Sequence, residues 1–171
     1  MYANKLTEIT TFVLDVDGVM TNGDVLVTDE GSMLRTFNIK DGFAMQLAVK
    51  LGYRICVITG GNSAGVMKRL QGLGIKDIYT QVHEKRPVFL KYMADNNLSS
   101  ASIAYMGDDI PDYLLLKEAG LKCCPSDASY DIQSICDFIS AYPGGGGCVR
   151  DLIEKVLRAQ GKWDLDQIGI W

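Results

Sequence analysis

The sequence predicts an α/β fold built on one doubly wound parallel sheet, with a small β-hairpin inserted after the first strand. Short runs of nearly continuous apolar residues alternate along the chain with segments whose apolar residues recur at helical spacing. Strands that are apolar on both faces indicate a parallel sheet with helices on both sides, a Rossmann-like arrangement. The 171 residues suffice for one domain with a substantial core and are too few for two ordinary ones. We therefore predict a single domain over 1–171.

The individual elements follow from the local sequence. The first strand, 11–14, is apolar and ends at an Asp-Val-Asp-Gly segment. Two β-prone runs follow, and the Asp-Glu-Gly between them is typical of a hairpin turn, which predicts a flap over 22–38. Glycine follows most of the predicted helices, as is common at helix C-termini. The further predicted strands are 53–58, 78–79 and 102–106, and the predicted helices are 42–51, 63–73, 87–96, 112–119 and 149–160.

Composition and charge exclude several classes of protein. The formal net charge is −4, and the absence of a basic run or stripe argues against a nucleic-acid partner. No apolar stretch is long enough to span a membrane, and the segment 1–10 lacks the features of a signal peptide. The 5 cysteines are odd in number and include no C-x-x-C pair, which favours reduced thiols in the cytoplasm over disulfides or a zinc site.

Polar residues follow the predicted strands at the carboxyl edge of the sheet, where ligands bind in open parallel sheets. These residues are distant in sequence. We expect them to lie close together in space because neighbouring parallel strands end at the same edge of the sheet. The set comprises Asp15, Asp17, Thr59, Lys85, Asp108 and Asp109.

This set of residue types fits a phosphate site. Several carboxylates close together repel one another unless a cation lies among them, and Mg²⁺ is the natural candidate because it prefers oxygen ligands. Lys85 and the hydroxyl of Thr59 offer donors for phosphate oxygens. With its charge masked by the cation and Lys85, Asp15 can attack phosphorus and form an aspartyl-phosphate that water then hydrolyses. Asp17 is near enough in sequence to protonate the leaving oxygen.

Each feature alone also has an ordinary structural explanation. Asp-x-Asp and Thr-Gly are common in turns, a single lysine is usually solvated, and Asp-Asp before a helix is often a cap. The combination, in this order and at successive strand ends, favours the catalytic interpretation.

The motifs resemble those of the haloacid dehalogenase superfamily. Its first motif matches Asp15-Val16-Asp17-Gly18-Val19-Met20-Thr21-Asn22-Gly23, and its second and third match Thr59 and Lys85. The fourth matches Gly107-Asp108-Asp109-Ile110-Pro111-Asp112. All four occur in order and cover 11–112.

The resemblance implies a role for each acidic residue. Asp15 is implied to be the nucleophile and a metal ligand. Asp17 is implied to be the general acid and base, with a backbone carbonyl that binds the metal, and an acid at this position is typical of the phosphatases of the superfamily. Asp108 is implied to be the remaining carboxylate ligand of Mg²⁺. Asp109 and Asp112 are similar to residues that hold the waters of the metal or orient the lysine.

The resemblance also implies the binding residues and the subfamily. Thr59, Gly60 and Lys85 are implied to bind the phosphoryl group. Only a hairpin follows the first motif, and there is no room for a cap domain elsewhere, so the chain resembles the capless subfamily. Arg35 and Lys40, on or near the hairpin, are candidates for binding a substrate carboxylate, and arginine suits a bidentate grip.

Two further segments narrow the implied substrate. The segment 38–42 and the glycine-rich segment 144–150 resemble phosphatases that act on 3-deoxy-D-manno-octulosonate 8-phosphate in lipopolysaccharide precursor synthesis. The glycine run itself is compatible with a flexible loop or with a tight backbone approach. One departure from the pattern is Gly61, where relatives often carry a charged residue.

Alternatives to this function remain. A nine-carbon keto acid 9-phosphate of the sialic-acid type is the alternative substrate. Domains of this kind also serve as non-catalytic oligomerisation modules, although every catalytic position is filled here. A phospho-acceptor receiver domain has a similar acidic pocket but lacks Asp-x-Asp-Gly.

The hairpin and the tail, 162–171, have no evident task within one subunit. The tail is apolar at Trp163, Ile168, Ile170 and Trp171. We expect a homo-oligomer, and the resemblance implies a tetramer, in which these segments pack at the active site of a neighbouring subunit. Docking of the tail on its own domain is the alternative.

Overall fold

The computed structural model describes residues 2–168 and confirms the predicted α/β fold. The chain begins with α1 (Ala3–Leu6) and β1 (Thr11–Leu14), followed by a hairpin of β2 (Leu26–Val27) and β3 (Met33–Leu34). The later strands are β4 (Arg54–Ile58), β5 (Asp77–Tyr79), β6 (Ile103–Met106), β7 (Leu121–Cys124) and β8 (Phe138–Ile139). The later helices are α2 (Ile39–Lys50), α3 (Ala64–Gly72), α4 (Lys85–Asp95), α5 (Tyr113–Glu118), α6 (Tyr130–Ile135), α7 (Cys148–Ala159) and α8 (Leu165–Ile168). Single 3-10 turns cover Ser100–Ser102 and Ile110–Asp112.

Within residues 2–168, six parallel strands form one sheet in the order β5-β4-β1-β6-β7-β8. The central strand, β1, pairs with β4 on one side and with β6 on the other. The chain runs outward from β1 through β4 to β5 and then crosses back to β6. The strand order therefore reverses beside the carboxyl end of β1, and ligand sites in open parallel sheets lie at such a reversal.

Both faces of the central strand are buried. Phe12 and Leu14 point into one apolar layer and Val13 into the other. The first layer is covered by α1, α2, α3 and α7, and the second by α4, α5 and α6. This burial on both sides explains why the strand is continuously apolar instead of alternating. No helix in the described part of the chain is both long and apolar enough to cross a membrane.

The sheet extends further than the sequence predicts. The region 121–139 contains β7, α6 and β8, and no element was expected there. β7 carries a lysine among its four residues and β8 is only two residues long, so neither has a distinctive pattern of its own. Both are held by backbone pairing to a neighbouring strand. The short helices α1 and α8 were missed for the same reason, since one turn is too short to show a periodicity.

Two helices begin earlier than predicted, and the hairpin is less regular than expected. Asn38 caps α2, and its Oδ1 accepts hydrogen bonds from the backbone N–H groups of Lys40 at 2.8 Å and Asp41 at 3.3 Å. This cap starts the helix before Gly42. Similarly, α4 starts at Lys85, before its proline. Strand pairing in the hairpin covers only two residues on each side.

The glycine run before α7 is a tight backbone approach and not a flexible loop. A Cβ atom on Gly144 would lie 2.1 Å from the carbonyl oxygen of Gly18, in the loop after β1. The backbone N–H of Gly145 donates to the carbonyl of Val19 at 2.9 Å. Asn38 also contacts the run, because its Nδ2 donates to the carbonyl of Gly145 at 3.2 Å. The two segments that resemble the substrate-specific relatives thus meet in space.

The described part of the tail docks on its own domain. Trp163 and Ile168 pack against the apolar layer that contains α7. The guanidinium carbons of Arg150 and Arg158 each lie 5.4 Å from the centroid of the Trp163 ring, within reach of a cation–π contact. The predicted tail residues Ile170 and Trp171 lie outside the described residues.

All 5 cysteines are free thiols. Four are buried and Cys136 is half-buried. Burial raises the pKa of the Cys56, Cys123 and Cys148 thiols, which keeps them neutral and unreactive.

Replacing Gly144 by alanine tests the tight approach of the glycine run. Gly144→Ala forces a methyl group against the backbone of Gly18, and we expect it to lower the free energy of unfolding by about 1–3 kcal/mol. Urea denaturation measures the change. Gly72→Ala is the matched control: it lies in α3, nothing is within 4 Å of its added Cβ, and helix propensity predicts a gain of up to about 1 kcal/mol. Equal stability of Gly144→Ala and wild type would contradict the tight approach.

Candidate active site

The predicted polar residues lie where the carboxyl ends of β1, β4 and β6 meet. Asp15 directly follows β1, Thr59 directly follows β4, and Asp108 lies shortly after β6. Lys85 is the first residue of α4. Asp15, Thr59 and Lys85 are buried, and buried polar groups require partners.

The ammonium group of Lys85 joins two carboxylates. Its Nζ donates to Oδ2 of Asp15 at 2.7 Å and to Oδ1 of Asp112 at 2.8 Å. Burial disfavours the charged ammonium, but the carboxylates of Asp112 and Asp15 outweigh burial and raise the pKa of Lys85. Lys85 is therefore a fixed positive charge beside Asp15.

Asp112 is held from two further directions. The hydroxyl of Tyr105 donates to Oδ1 of Asp112 at 2.6 Å, and the backbone N–H of Asp108 donates to Oδ2 at 3.2 Å. Tyr105 lies in β6 and is fully buried. The sequence analysis missed this residue. The available signal was a tyrosine in a strand predicted to be buried, because a buried hydroxyl needs an acceptor.

One carboxylate oxygen from each of Asp15, Asp108 and Asp112 lies within 4.8 Å of the other two. Burial, with repulsion from Asp112, raises the pKa of Asp15 to about 7 despite the opposing effect of Lys85. Burial, with repulsion from Asp112 and Asp15, raises the pKa of Asp108 to about 7 as well. A small divalent cation would offset this repulsion, so the group fits Mg²⁺. Two of the predicted ligands belong to the group, and Asp112, predicted as a supporting residue, joins them.

Gly18 allows the loop after β1 to approach Asp108. Its φ is +78°, and a Cβ atom there would lie 2.0 Å from Oδ2 of Asp108. A side chain at this position would displace the carboxylate, and the backbone conformation itself favours glycine. The glycine of the first motif is therefore explained by space as well as by conformation.

Asp17 lies apart from the acidic group and pairs with Arg35. The guanidinium of Arg35 contacts both carboxylate oxygens, with Nε 2.6 Å from Oδ1 and Nη2 3.0 Å from Oδ2. The hydrogen bond to Asp17 raises the pKa of Arg35. The side chain of Asp17 is thus directed to the hairpin, and its predicted contribution to the metal, through the backbone carbonyl, stays a prediction.

The hydroxyl oxygen of Thr59 accepts a hydrogen bond from the backbone N–H of Gly61 at 3.2 Å. The hydrogen of that hydroxyl remains available as a donor, as phosphate binding requires. Gly60 is exposed at the rim of the site. The phosphoryl-binding roles of Thr59 and Gly60 stay predictions.

Lys40 and Asp109, which the sequence analysis also selected, lie outside the acidic group. Lys40 is exposed and lines a separate cavity of about 500 Å³ together with Tyr142, Arg150 and Glu154. Asp109 is exposed and precedes the 3-10 turn that carries Asp112. A role for Lys40 in one subunit therefore has no support from contacts with the other predicted residues.

Known proteins resemble this chain over nearly its whole length. It is 31% identical to the 3-deoxy-D-manno-octulosonate 8-phosphate phosphatase KdsC of Escherichia coli strain K12 over 160 residues, which cover 94% of this chain and 85% of the relative. The enzyme of the same name from Salmonella typhimurium shares the same identity and coverage. No family model matches the sequence.

Solved structures extend the similarity to the fold. The phosphatase of that name from Moraxella catarrhalis, in complex with magnesium, phosphate and KDO, superposes with a TM-score of 0.93 at 29% identity, covering 99% of this chain and 97% of the other. A Legionella pneumophila hydrolase assigned to subfamily III A of the haloacid dehalogenase superfamily superposes with a TM-score of 0.92 at 30% identity, covering 98% and 91%. By sequence and by fold, this chain belongs to the family of 3-deoxy-D-manno-octulosonate 8-phosphate phosphatases within the haloacid dehalogenase superfamily.

Proposed function

We propose that this protein is a magnesium-dependent phosphatase that hydrolyses 3-deoxy-D-manno-octulosonate 8-phosphate through an aspartyl-phosphate intermediate. The observation that carries the proposal is the buried contact of Lys85 with Asp15 and Asp112, beside a third carboxylate, Asp108. This arrangement combines a nucleophile, a fixed cation and oxygen ligands for a metal. The named relatives support the same activity and substrate.

The reaction proceeds in two displacements at phosphorus. A carboxylate oxygen of Asp15 forms a bond to phosphorus while the bond from phosphorus to the sugar oxygen breaks, and Asp17 donates a proton to that oxygen. Water then attacks the phosphorus, the bond to Asp15 breaks, and Asp17 takes the proton of the water. Inorganic phosphate leaves, and both aspartates return to their starting state.

The remaining residues balance charge and orient the phosphoryl group. Lys85 offsets the negative charge of Asp15 as a phosphate approaches, and Thr59 and Gly60 bind phosphoryl oxygens. Mg²⁺, bound by Asp15, Asp108 and the backbone carbonyl of Asp17, would neutralise charge shared by the carboxylate and the phosphate. Asp112 holds Lys85 in place, and Asp109 supports the metal site. Lys40 and Arg35 are the candidates for the substrate carboxylate.

We also propose a homo-oligomer, most simply a tetramer. The hairpin exposes a dense set of apolar side chains: Leu26, Val27, Met33 and Leu34 are 66%, 60%, 58% and 52% exposed. Exposed apolar surface of this density is typical of protein–protein contact sites, so the hairpin supports packing against another subunit. An uncapped site leaves the chemistry open, so a neighbouring hairpin at its mouth would help to exclude water.

The free thiols support a reducing compartment, and we propose that the enzyme acts in the cytoplasm in lipopolysaccharide precursor synthesis. The eight-carbon substrate is preferred to a nine-carbon keto acid phosphate because the relatives named for it span 94% of the chain. The filled acidic group favours an enzyme over a non-catalytic module.

Replacing the nucleophile tests the mechanism. Asp15→Asn nearly preserves the shape of the side chain, but the amide cannot attack phosphorus. We therefore expect turnover to fall at least 1,000-fold, which corresponds to a rise of roughly 4 kcal/mol or more in the activation free energy. Steady-state assays with the eight-carbon substrate and with an aryl phosphate measure it. The control is Asp77→Asn. In the wild type, the Asp77 carboxylate accepts a hydrogen bond from Tyr92, and this variant should remain active. A tenth of wild-type activity in Asp15→Asn would refute the aspartyl-phosphate.

Metal binding should stabilise the protein in a pH-dependent way. The pKa values of Asp15 and Asp108 rise from 3.8 to about 7 on folding, so the metal-free protein loses stability as the pH rises from about 4 through 7. Mg²⁺ requires the ionised carboxylates, and we expect it to raise the Tm more at pH ~8 than at pH ~5. Thermal unfolding at constant ionic strength measures both shifts. Asp108→Asn should remove most of the difference, and an equal shift at both pH values would contradict this site.

The acid role of Asp17 predicts a dependence on the leaving group. Asp17→Asn should slow hydrolysis of a sugar phosphate by about 100-fold or more, because its alkoxide leaving group needs a proton. An activated aryl phosphate should lose less, because its leaving group is stable without one. The ratio of the kcat/KM losses for the two substrates is the measurement. Equal losses would mean that Asp17 does not protonate the leaving group.

A further inference from the structure

The contact between Arg35 and Asp17 joins the hairpin to the proposed general acid. Both carboxylate oxygens of Asp17 are engaged, at 2.6 Å and 3.0 Å, in a fork-to-fork arrangement. The Arg35 side chain is only 11% exposed and that of Asp17 is 35% exposed. The hairpin backbone also holds Arg35, whose Nη1 donates to the carbonyl of Met33 at 3.3 Å. This is a partly enclosed pair with fixed geometry, unlike a typical ion pair on the surface.

The pair occupies both carboxylate oxygens of Asp17. A general acid must come within hydrogen-bonding distance of the leaving oxygen. Both Asp17 oxygens instead accept hydrogen bonds from Arg35, so neither is free to approach a leaving oxygen. The pair must therefore open before the acid can reach a substrate that Asp15 attacks.

Opening the pair leaves the guanidinium of Arg35 without its partner in an enclosed position. Such a charge is costly unless another anion replaces the lost carboxylate. A carboxylate on the substrate has the same fork geometry as Asp17 and can replace it directly. A phosphate ester of a neutral sugar has no second anionic group for this exchange.

A cleft beside the pair has room for the acidic end of such a substrate. It encloses about 500 Å³ between the hairpin and the loop before α3, and Arg35, Ser32, Asn62 and Ser63 are among its lining residues. Gly61 also lines this cleft. A Cβ atom there would be 3.7 Å from both Nη2 of Arg35 and Oδ2 of Asp17, and 3.5 Å from Oγ1 of Thr59. The cleft thus meets the arginine, the acid and the phosphoryl-binding threonine at one point.

We propose that Arg35 is a specificity-determining positioning residue that keeps both carboxylate oxygens of Asp17 engaged until a carboxylate of the substrate takes the place of Asp17. The acid is then released only for phosphates that also carry a carboxylate. This proposal rests on the proposed function and adds to it a means by which an uncapped site discriminates against neutral sugar phosphates.

Arg35→Gln tests the proposal with two substrates that share a primary phosphate ester. One is 3-deoxy-D-manno-octulosonate 8-phosphate, which has a carboxylate, and the other is arabinose 5-phosphate, which has none. The variant should lower kcat/KM for the keto acid by about 10- to 100-fold, because a charge-assisted contact is lost. It should raise kcat for arabinose 5-phosphate several-fold, because Asp17 is no longer held. Opposite signs for the two substrates are the expected result.

Arg86→Gln is the matched control. Arg86 also uses Nε and Nη2 to hold a carboxylate, Glu118, at 3.0 Å and 2.6 Å, but its side chain is 48% exposed and Glu118 is not one of the acidic residues of the site. Both substrates should react in this variant as in wild type. Equal losses on both substrates in Arg35→Gln would overturn the proposal, since Arg35 would then only orient Asp17. A loss on the keto acid without a gain on arabinose 5-phosphate would also overturn it, since Arg35 would then only bind substrate.

A second measurement is independent of which keto acid is the natural substrate. A small keto acid, pyruvate, supplies the missing carboxylate separately, and it should raise wild-type turnover of arabinose 5-phosphate. Arg35→Gln should show no such activation, and equal activation of both proteins would overturn the proposal. Failure of the proposed function would be recognised differently, as a wild-type protein that turns over an aryl phosphate but not the keto acid phosphate.

Discussion

The buried ammonium of Lys85, held between Asp15 and Asp112, is the interaction on which the rest of the site depends. A charge in this position is stable only if both carboxylates reach it, and removal of one partner from such a buried pair typically costs about 3–5 kcal/mol. The three residues come from the end of β1, the start of α4 and the turn after β6. Their contact therefore ties the central strand to both halves of the sheet. The same contact places a positive charge beside the proposed nucleophile, Asp15, so one interaction serves both the fold and the proposed chemistry.

The acidic group is arranged for binding a cation, and this arrangement lowers the stability of the metal-free protein. The raised pKa values of Asp15 and Asp108 record repulsion and burial that folding does not relieve by itself. The surrounding backbone leaves these carboxylates little freedom to separate. Gly18 approaches Asp108 closely, and Gly144 packs on the same loop. Two glycine-containing segments far apart in sequence thus support one loop, which explains why the glycine run lies near the site although it holds no catalytic group.

Selectivity in an uncapped site must come from small parts of the structure. The hairpin is the evident candidate, because it lies at the mouth of the site and exposes apolar residues on its surface. Its charged contact with the site is the pair of Arg35 with Asp17. The apolar surface of this flap is exposed, and its Arg35 contacts the proposed acid, Asp17. The flap is therefore suited to connect subunit assembly, substrate recognition and proton transfer. Within one subunit, the described part of the tail packs on its own domain through Trp163, which was the alternative to packing on a neighbour.

The sequence by itself determined the α/β class, the strands from β1 to β6, and the identity of the main chemical groups. These follow from local properties, namely apolar runs, helical spacing and the motifs that contain Asp15 and Lys85. Local properties can be identified from the sequence without a structure. Tertiary structure alone decided the outer strands, β7 and β8, because their stability comes from pairing across the sheet. It also decided that Tyr105 supports the site and that Arg35 holds Asp17. These contacts join segments that are far apart in sequence, and sequence separation does not predict distance in space. Only the packed sheet brings these segments together.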